Sequence, residues 1–434
     1  MQMKKSLLLI MAAVFFISAN AQETSEGTIR MTLEDCLDYA FENNYSRQSV
    51  KLNEESKQDL YNQSKLERLP NLTASLSENL NYTKGNSASW DGSYGLNTSV
   101  TLYQGGNISN TIEKNRLTAT QSVYETQQYD NELTIQILQA FLTALSNEEL
   151  LRYQEVILHS SEEQAKQGEI KFREGQILES DYLLLNAQYE TDKNNIVESK
   201  INRDNSLAAL KSLLSINPSQ PFEIIFPDQD AVDLMSLMPS ENDVIERSMN
   251  SLPDLQISKY NVEIAETGLK ISKSGYYPTL SLNAGLGSGH NDFSNYGTQI
   301  SDRFNTQVGL TLSIPIFDRG RTKSNVTQSR IALQQAEYNQ KQTELNIQQT
   351  LLQEYRNVIS AESKYKASTV SQEAYLQSFE AYRAKFEAGA ITPVDLLQQQ
   401  NNYIGAMNEY IRNKYSFMLY RKILDVYMGE KISM

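Results

Sequence analysis

One cysteine and two histidines stand among 434 residues, and each scarcity closes off a class of chemistry. A lone thiol, Cys36, cannot form an intrachain disulfide, and fifteen residues past the expected leader is the wrong place for a lipoprotein cysteine, so it reads as a small buried side chain. His159 and His290 lie far apart with no Cys or His at ligand spacing. Neither a metal site nor a nucleophilic site can be assembled from them, so no enzyme, metal or cofactor is expected. Positive charge is also short: 39 Lys and Arg face 53 Asp and Glu, a formal charge of −14 that excludes nucleic acid as a partner. Long apolar runs are missing beyond the N-terminus, and mean hydropathy is −0.50.

That N-terminal run, Leu7 to Ile17, follows Lys4 and Lys5 and precedes Ala19-Asn20-Ala21, the pattern of a secretory leader over 1–21. Spanning a bilayer takes about 20 apolar residues, so the run is too short to anchor the chain. Removing the two lysines takes the mature charge from −14 to −16. An exported chain of this hydropathy can cross a membrane only as a β-barrel, whose strands hide apolar residues in alternation.

The sequence is written twice. "FREGQILESDYLLLNAQY" (172–189) returns as "FEAGAITPVDLLQQQNNY" (386–403) at an offset of 214, and Pro70 returns as Pro278 at an offset of 208. The six-residue difference falls in the loops between them. Each half, 22–215 and 241–434, reads helix, strand, loop, strand, long helix, turn, long helix, joined by a proline-rich connector over 216–240 with a short strand at 222–226.

Strands are expected at about 71–83, 93–103, 279–289 and 304–316, near the length of a tilted membrane strand. Leu72, Ala74, Leu76, Leu80 and Tyr82 form one face of the first, broken only by Glu78, while the opposite face is Asn, Thr and Ser. Helices are expected at about 107–174, 178–215, 320–388 and 393–428. The longer two would reach roughly 100 Å, beyond any compact domain. Leu396, Tyr403, Tyr410, Phe417 and Leu424 recur every seven residues, beside Leu397, Ile404, Ile411 and Met418, as coiled-coil seams require.

Four strands cannot close a barrel, and an open edge is not tolerated in lipid, so other chains must complete it. Two chains would give a filled eight-stranded barrel and three a hollow twelve-stranded one. The small polar faces favour three. The tandem halves, Pro70 and Pro278 at the strand starts, "PIFDRG" (315–320), its counterpart "LYQGG" (102–106) and the two helix tips resemble the TolC family of outer-membrane efflux proteins. The resemblance implies a homotrimer in outer-membrane lipid. Its single twelve-stranded β-barrel would continue as a periplasmic α-helical barrel, joined by a periplasmic adaptor (membrane fusion) protein to an inner-membrane pump. Such a duct passively conducts substrates in tripartite efflux or type I secretion.

It also implies site residues. Pro315, Phe317, Asp318, Gly320, Tyr103, Gly105 and Gly106 would form the strand-to-helix junctions, and Phe172, Gly175, Phe386 and Gly389 the adaptor-contacting tips. Asp395 and Asp181 match the family's first tip aspartate and, with Gln398, mark a periplasmic gate. Tyr82, Trp90, Tyr94, Phe293, Tyr296 and Phe304 cluster at the hairpins as an aromatic girdle. The rival reading is an exported, non-membrane coiled-coil structural protein or adhesin, which accounts for the helices but not for the alternating strands.

Overall fold

The computed structural model describes residues 28–82, 84–85, 88–226, 238–292, 294–430 and 432. The expected leader, Phe293 and residues 227–237 of the connector lie outside them. Along the chain run β1 (Ile29–Met31), α1 (Leu33–Asn43), α2 (Tyr45–Leu66), β2 (Asn71–Asn81), β3 (Ser89–Gln104), α3 (Asn107–Arg173), α4 (Glu179–Leu213) and β4 (Phe222–Ile224). The second half gives α5 (Glu241–Ser251), α6 (Pro253–Ser274), β5 (Thr279–His290), α7 (Tyr296–Asp302), β6 (Asn305–Ser313), α8 (Arg321–Glu387) and α9 (Pro393–Tyr427).

The repeat is metrical. α1 and α5 each have 11 residues, α2 and α6 22, α3 and α8 67, and α4 and α9 35. Numbering shifts by 208 up to Asn71 and Thr279 and by 214 from Asn107 and Arg321 onward, so the whole length change sits inside the two hairpins.

Each 67-residue helix is flanked in succession by a 22-residue and a 35-residue helix, so four helices stand side by side at every level. Near the sheet the order is α2, α3, α6, α8; toward the far tips it is α4, α3, α9, α8. α3 therefore has neighbours on several sides, which is why its buried residues run all around it rather than along one stripe. Midway, α1, the central part of α3, the end of α4 and α9 enclose the main core, with Phe141, Ile137, Leu210 and Ile411 fully buried. Cys36 lies in this core, and burial pushes its thiol up to about 12.

A four-stranded antiparallel sheet of order β2-β3-β5-β6 caps one end of the helices. Its register aligns Leu72, Thr98, Ala284 and Val308 across one face. β2 and β6 are its edges.

Three expectations are corrected. β3 starts at Ser89 rather than 93, because Gly92 and Gly95 interrupt the side-chain alternation without interrupting the ladder to β2. β6 ends at Ser313 rather than 316: its ladder partner β5 begins at Thr279, just after Pro278, and Pro315 has no N–H to donate. The short strand of the connector ends at Ile224 rather than 226, and it pairs in parallel with β1, whose three residues carry no strand pattern of their own. The hairpin loop after β5 also holds a short helix, α7, tied to the sheet by a hydrogen bond of 2.5 Å from Ser288 Oγ to the Ile300 carbonyl.

One buried group opposes this packing. Asp192 on α4 is 1 % exposed, accepts a 2.9 Å hydrogen bond from Gln188 Nε2, and has its carboxyl pushed above the usual range by burial. The equivalent position in the second half is Ala406, also buried. A carboxyl whose folded pKa is raised above its unfolded value of about 3.9 holds its proton more tightly when folded, so its contribution to stability declines as pH climbs through that window. Asp192→Asn is expected to unfold at a higher temperature than wild type at neutral pH, with the gain vanishing near about pH 4, as read from the helical circular-dichroism signal.

Candidate functional site

At both junctions the chain leaves the sheet and enters a long helix through two consecutive residues of positive φ: Gly105 (58°) and Gly106 (80°) before α3, Arg319 (57°) and Gly320 (79°) before α8. Left-handed backbone costs an L-residue about 1–2 kcal/mol, which explains glycine at the second position of each pair. Gly105 has a further reason, since a Cβ there would lie 2.6 Å from Tyr277 Cβ and 2.9 Å from the Ser274 carbonyl. In the second half Asp318 supplies what glycine cannot. The Thr322 hydroxyl, the Thr322 N–H at 2.7 Å and the Gly320 N–H at 3.0 Å donate to its carboxylate and hold it below the usual carboxylate range. Pro315 and Phe317 are exposed and Tyr103 lies half open on the first strand end, so within one chain these junction residues cover nothing.

On the otherwise apolar face of the sheet a polar cluster accounts for Glu78. Gly92, opposite Glu78, aligns with His290 on the next strand. His290 Nε2 lies 3.1 Å from Glu78 Oε2, the Tyr94 hydroxyl donates to Glu78 Oε1, and the Tyr296 hydroxyl donates to Tyr94 Oη at 2.9 Å. The His290 ring meets Tyr296 edge-on at 4.9 Å and is fully buried. Gly92 makes the room: a Cβ there would stand 2.4 Å from His290 Nε2. A carboxylate on an otherwise apolar face needs local partners, and here it has them. Of the expected girdle, Tyr94 and Tyr296 are thus joined, while Tyr82, Trp90 and Phe304 are exposed along the same end of the sheet.

At the opposite end the helix tips close with one geometry. Gly175 (φ 73°) and Gly389 (φ 71°) end α3 and α8 in Schellman turns, with Gln176 N–H to the Lys171 carbonyl and Ala390 N–H to the Lys385 carbonyl, both at 2.8 Å. Both glycines are exposed, and Phe172 stacks in parallel on Tyr182 at 5.8 Å. Phe386 is different. It is 2 % exposed, packed among Leu185, Phe379, Leu396 and Leu397, so a partner touching this tip meets Gly389 and its neighbours rather than the ring. Asp395 forms a capping box with Thr392, whose hydroxyl donates to Oδ2 at 2.7 Å. Asp181 follows Leu178, which has no side chain to cap with, and Gln398 is exposed, bonded to Asn402 at 3.1 Å.

The two junction glycines should respond differently to substitution. Gly320→Ala meets only the left-handed backbone and should cost about 1–2 kcal/mol. Gly105→Ala adds a backbone clash and should cost about 3 kcal/mol or more. Apparent melting temperatures of the purified proteins should therefore fall further for Gly105→Ala; equal shifts would remove the steric argument.

The sequence profile of the outer membrane efflux proteins matches residues 36–215 and 244–430. Outer membrane protein TolC of Vibrio cholerae is 23% identical over 423 residues, covering 93% of this chain and 92% of that one. The alkaline protease secretion protein AprF of Pseudomonas aeruginosa is 22% identical over 302 residues, 69% of this chain. The chain spans about three fifths of AprF, whose covered share is 61%, and of the Escherichia coli TolC, at 60%. Among solved structures, CusC superposes with a TM-score of 0.79 over 96% of both chains at 18% identity. The open-state MtrE channel of Neisseria gonorrhoeae gives 0.75 over 92% of this chain and 89% of that one, also at 18% identity. With both repeats covered by the profile, strands included, the non-membrane coiled-coil reading falls away: the chain belongs to the outer membrane efflux protein family.

Proposed function

We propose that three copies of this chain form the outer-membrane duct of a tripartite efflux or type I secretion system, conducting cargo without transforming it. The observation that carries the reading is that every layer ends on the same two flanks. β6 and α8 form one flank; β2, α2 and α4 form the other. A copy docked by its β6 and α8 flank onto the next copy's β2, α2 and α4 flank extends sheet and helices at once, a head-to-tail contact that must close into a ring. Exposed Ile331, Tyr338 and Leu345, seven residues apart along α8, and Ile359, two such steps further on, supply an unsatisfied seam for that contact. Exposed Leu52 and Leu60 on α2 and Val197 and Ile201 on α4 lie on the opposite flank.

Three copies give twelve strands whose outward face, with Leu72, Leu76, Val308 and Leu310, meets lipid and whose small polar face lines water. The helices then continue the pore into the periplasm, toward an adaptor and an inner-membrane pump. Asp395, and secondarily Asp181, stand in the first turns of α9 and α4 at the far mouth and form the gate, with Gln398 beside them. Three Asp395 carboxylates about 7 Å apart would repel pairwise by roughly 0.6 kcal/mol in water and about 2.4 kcal/mol at an effective dielectric of 20. Such a ring attracts multivalent cations.

Light scattering, corrected for detergent, should give a trimer; a monomer or dimer overturns the duct. In planar bilayers the channel should conduct poorly and be blocked from the periplasmic side by divalent or trivalent cations. Asp395→Asn keeps an oxygen for the cap and should relieve the block with the trimer intact. If neither that variant nor Asp181→Asn changes the block, both aspartates are ordinary helix-start residues.

A further inference from the structure

Both helix tips spell Lys-Phe-x-x-Gly: 171–175 and 385–389. In the second tip, Phe386 is covered by the first tip's lysine. Lys171 Nζ donates to the Phe386 carbonyl at 2.7 Å and to the Glu387 carbonyl at 3.4 Å, and stands 4.4 Å from the centre of the Phe386 ring. A cation on the last carbonyls of a helix satisfies acceptors that the helix leaves open and complements its dipole. Lys171 thereby ties α3 of the first hairpin to the end of α8 in the second.

Its counterpart has no such place within the chain. Lys385 is exposed and lies 5.0 Å from the ring of Tyr382 on its own helix. Phe172 is only half-buried, with Tyr182 against its ring. Among the described residues no side chain donates to the carbonyl of Phe172 or Arg173, the equivalents of Phe386 and Glu387. The difference follows from position in the row α4, α3, α9, α8: Lys171 is on an inner helix, whereas Lys385 is on the flanking one.

We propose that Lys385 completes the same cap between subunits, reaching the Phe172 and Arg173 carbonyls and the outer face of the Phe172 ring on the neighbouring copy. The inference rests on the ring proposed above. Intrachain contact of α3 with α9 maps, through the offset of 214, onto contact of α8 with the next copy's α4, and Lys171 to Phe386 maps onto Lys385 to Phe172. Six lysine caps would then circle the mouth, alternately within and between chains. One departure is visible: Leu396 beside Phe386 is replaced by Tyr182 beside Phe172, so the intersubunit cap has a stacked aromatic pair beneath it.

Hydrogen exchange on the purified full-length trimer tests this. Lys385→Met should speed exchange of the amides of Gly175 and Gln176, which close the other hairpin's tip, by about tenfold, the order expected for losing a charge-assisted hydrogen bond. Lys385→Arg should restore protection. A photo-activated cross-linker at position 385 should join two chains, with the product mapping near residue 172. Exchange that quickens only in Lys385's own tip, or cross-links that stay within one chain, would overturn the cap while leaving a wild-type trimer in place. A wild type that is not a trimer would overturn the duct itself.

Discussion

Every feature of this molecule answers to one constraint: a backbone group in hydrocarbon has no water to bond to. A four-stranded sheet leaves two unpaired edges, and no residue choice within the chain can remove them. The solution has to be arithmetical, with further copies supplying the missing ladders. That requirement then propagates downward, because α8 is welded to β6 through a tight turn of two left-handed residues and inherits its flank. In the proposed ring the seam on α8 and the ladder on β6 form one interface, read first in hydrogen bonds and then in heptads.

Duplication is what makes such propagation possible. With α2 and α4 set end to end beside α3, and α6 and α9 beside α8, each level presents four helices, matching four strands above. A ring of twelve strands can therefore sit on a ring of twelve helices without a mismatch in number. The length change between the halves falls in the hairpins, where neither ring needs equality.

Much of this is legible in the sequence. A seven-residue column persists through five positions from Leu396 to Leu424, and alternation persists over whole strands, so the periodic signal outlasts local noise. The repeat itself doubles the evidence for every boundary. What stays hidden depends on partners brought together from afar. β1 is three residues long and meets β4 across nearly two hundred positions, too short to carry a pattern of its own. Glu78 looks like an error on an apolar face until the register sets Gly92 and His290 beside it, and register is a property of pairing rather than of one strand. Lys171 reads as an ordinary charge in a helix's last turn. Phe386 reads as an adaptor-contacting tip residue through the family resemblance, yet Leu185 from the other hairpin and Lys171 cover it.

The places where the two halves disagree in chemistry are then informative. Backbone solutions recur at both positions, as the paired left-handed junctions and the twin Schellman turns show. Side-chain solutions do not: Asp318 caps where Gln104 stands in the first half, Thr392 caps where Leu178 stands, and Ala406 packs where Asp192 is buried. A backbone turn is needed wherever the geometry repeats, six times around the proposed ring. A side chain answers to its neighbours, and those alternate between residues of the same chain and residues of the next. In the proposed ring, divergence between equivalent positions is therefore free to build threefold chemistry on a nearly sixfold scaffold, and the starts of α4 and α9, where Asp181 lacks the cap that Asp395 has, are one place where the two halves have used it.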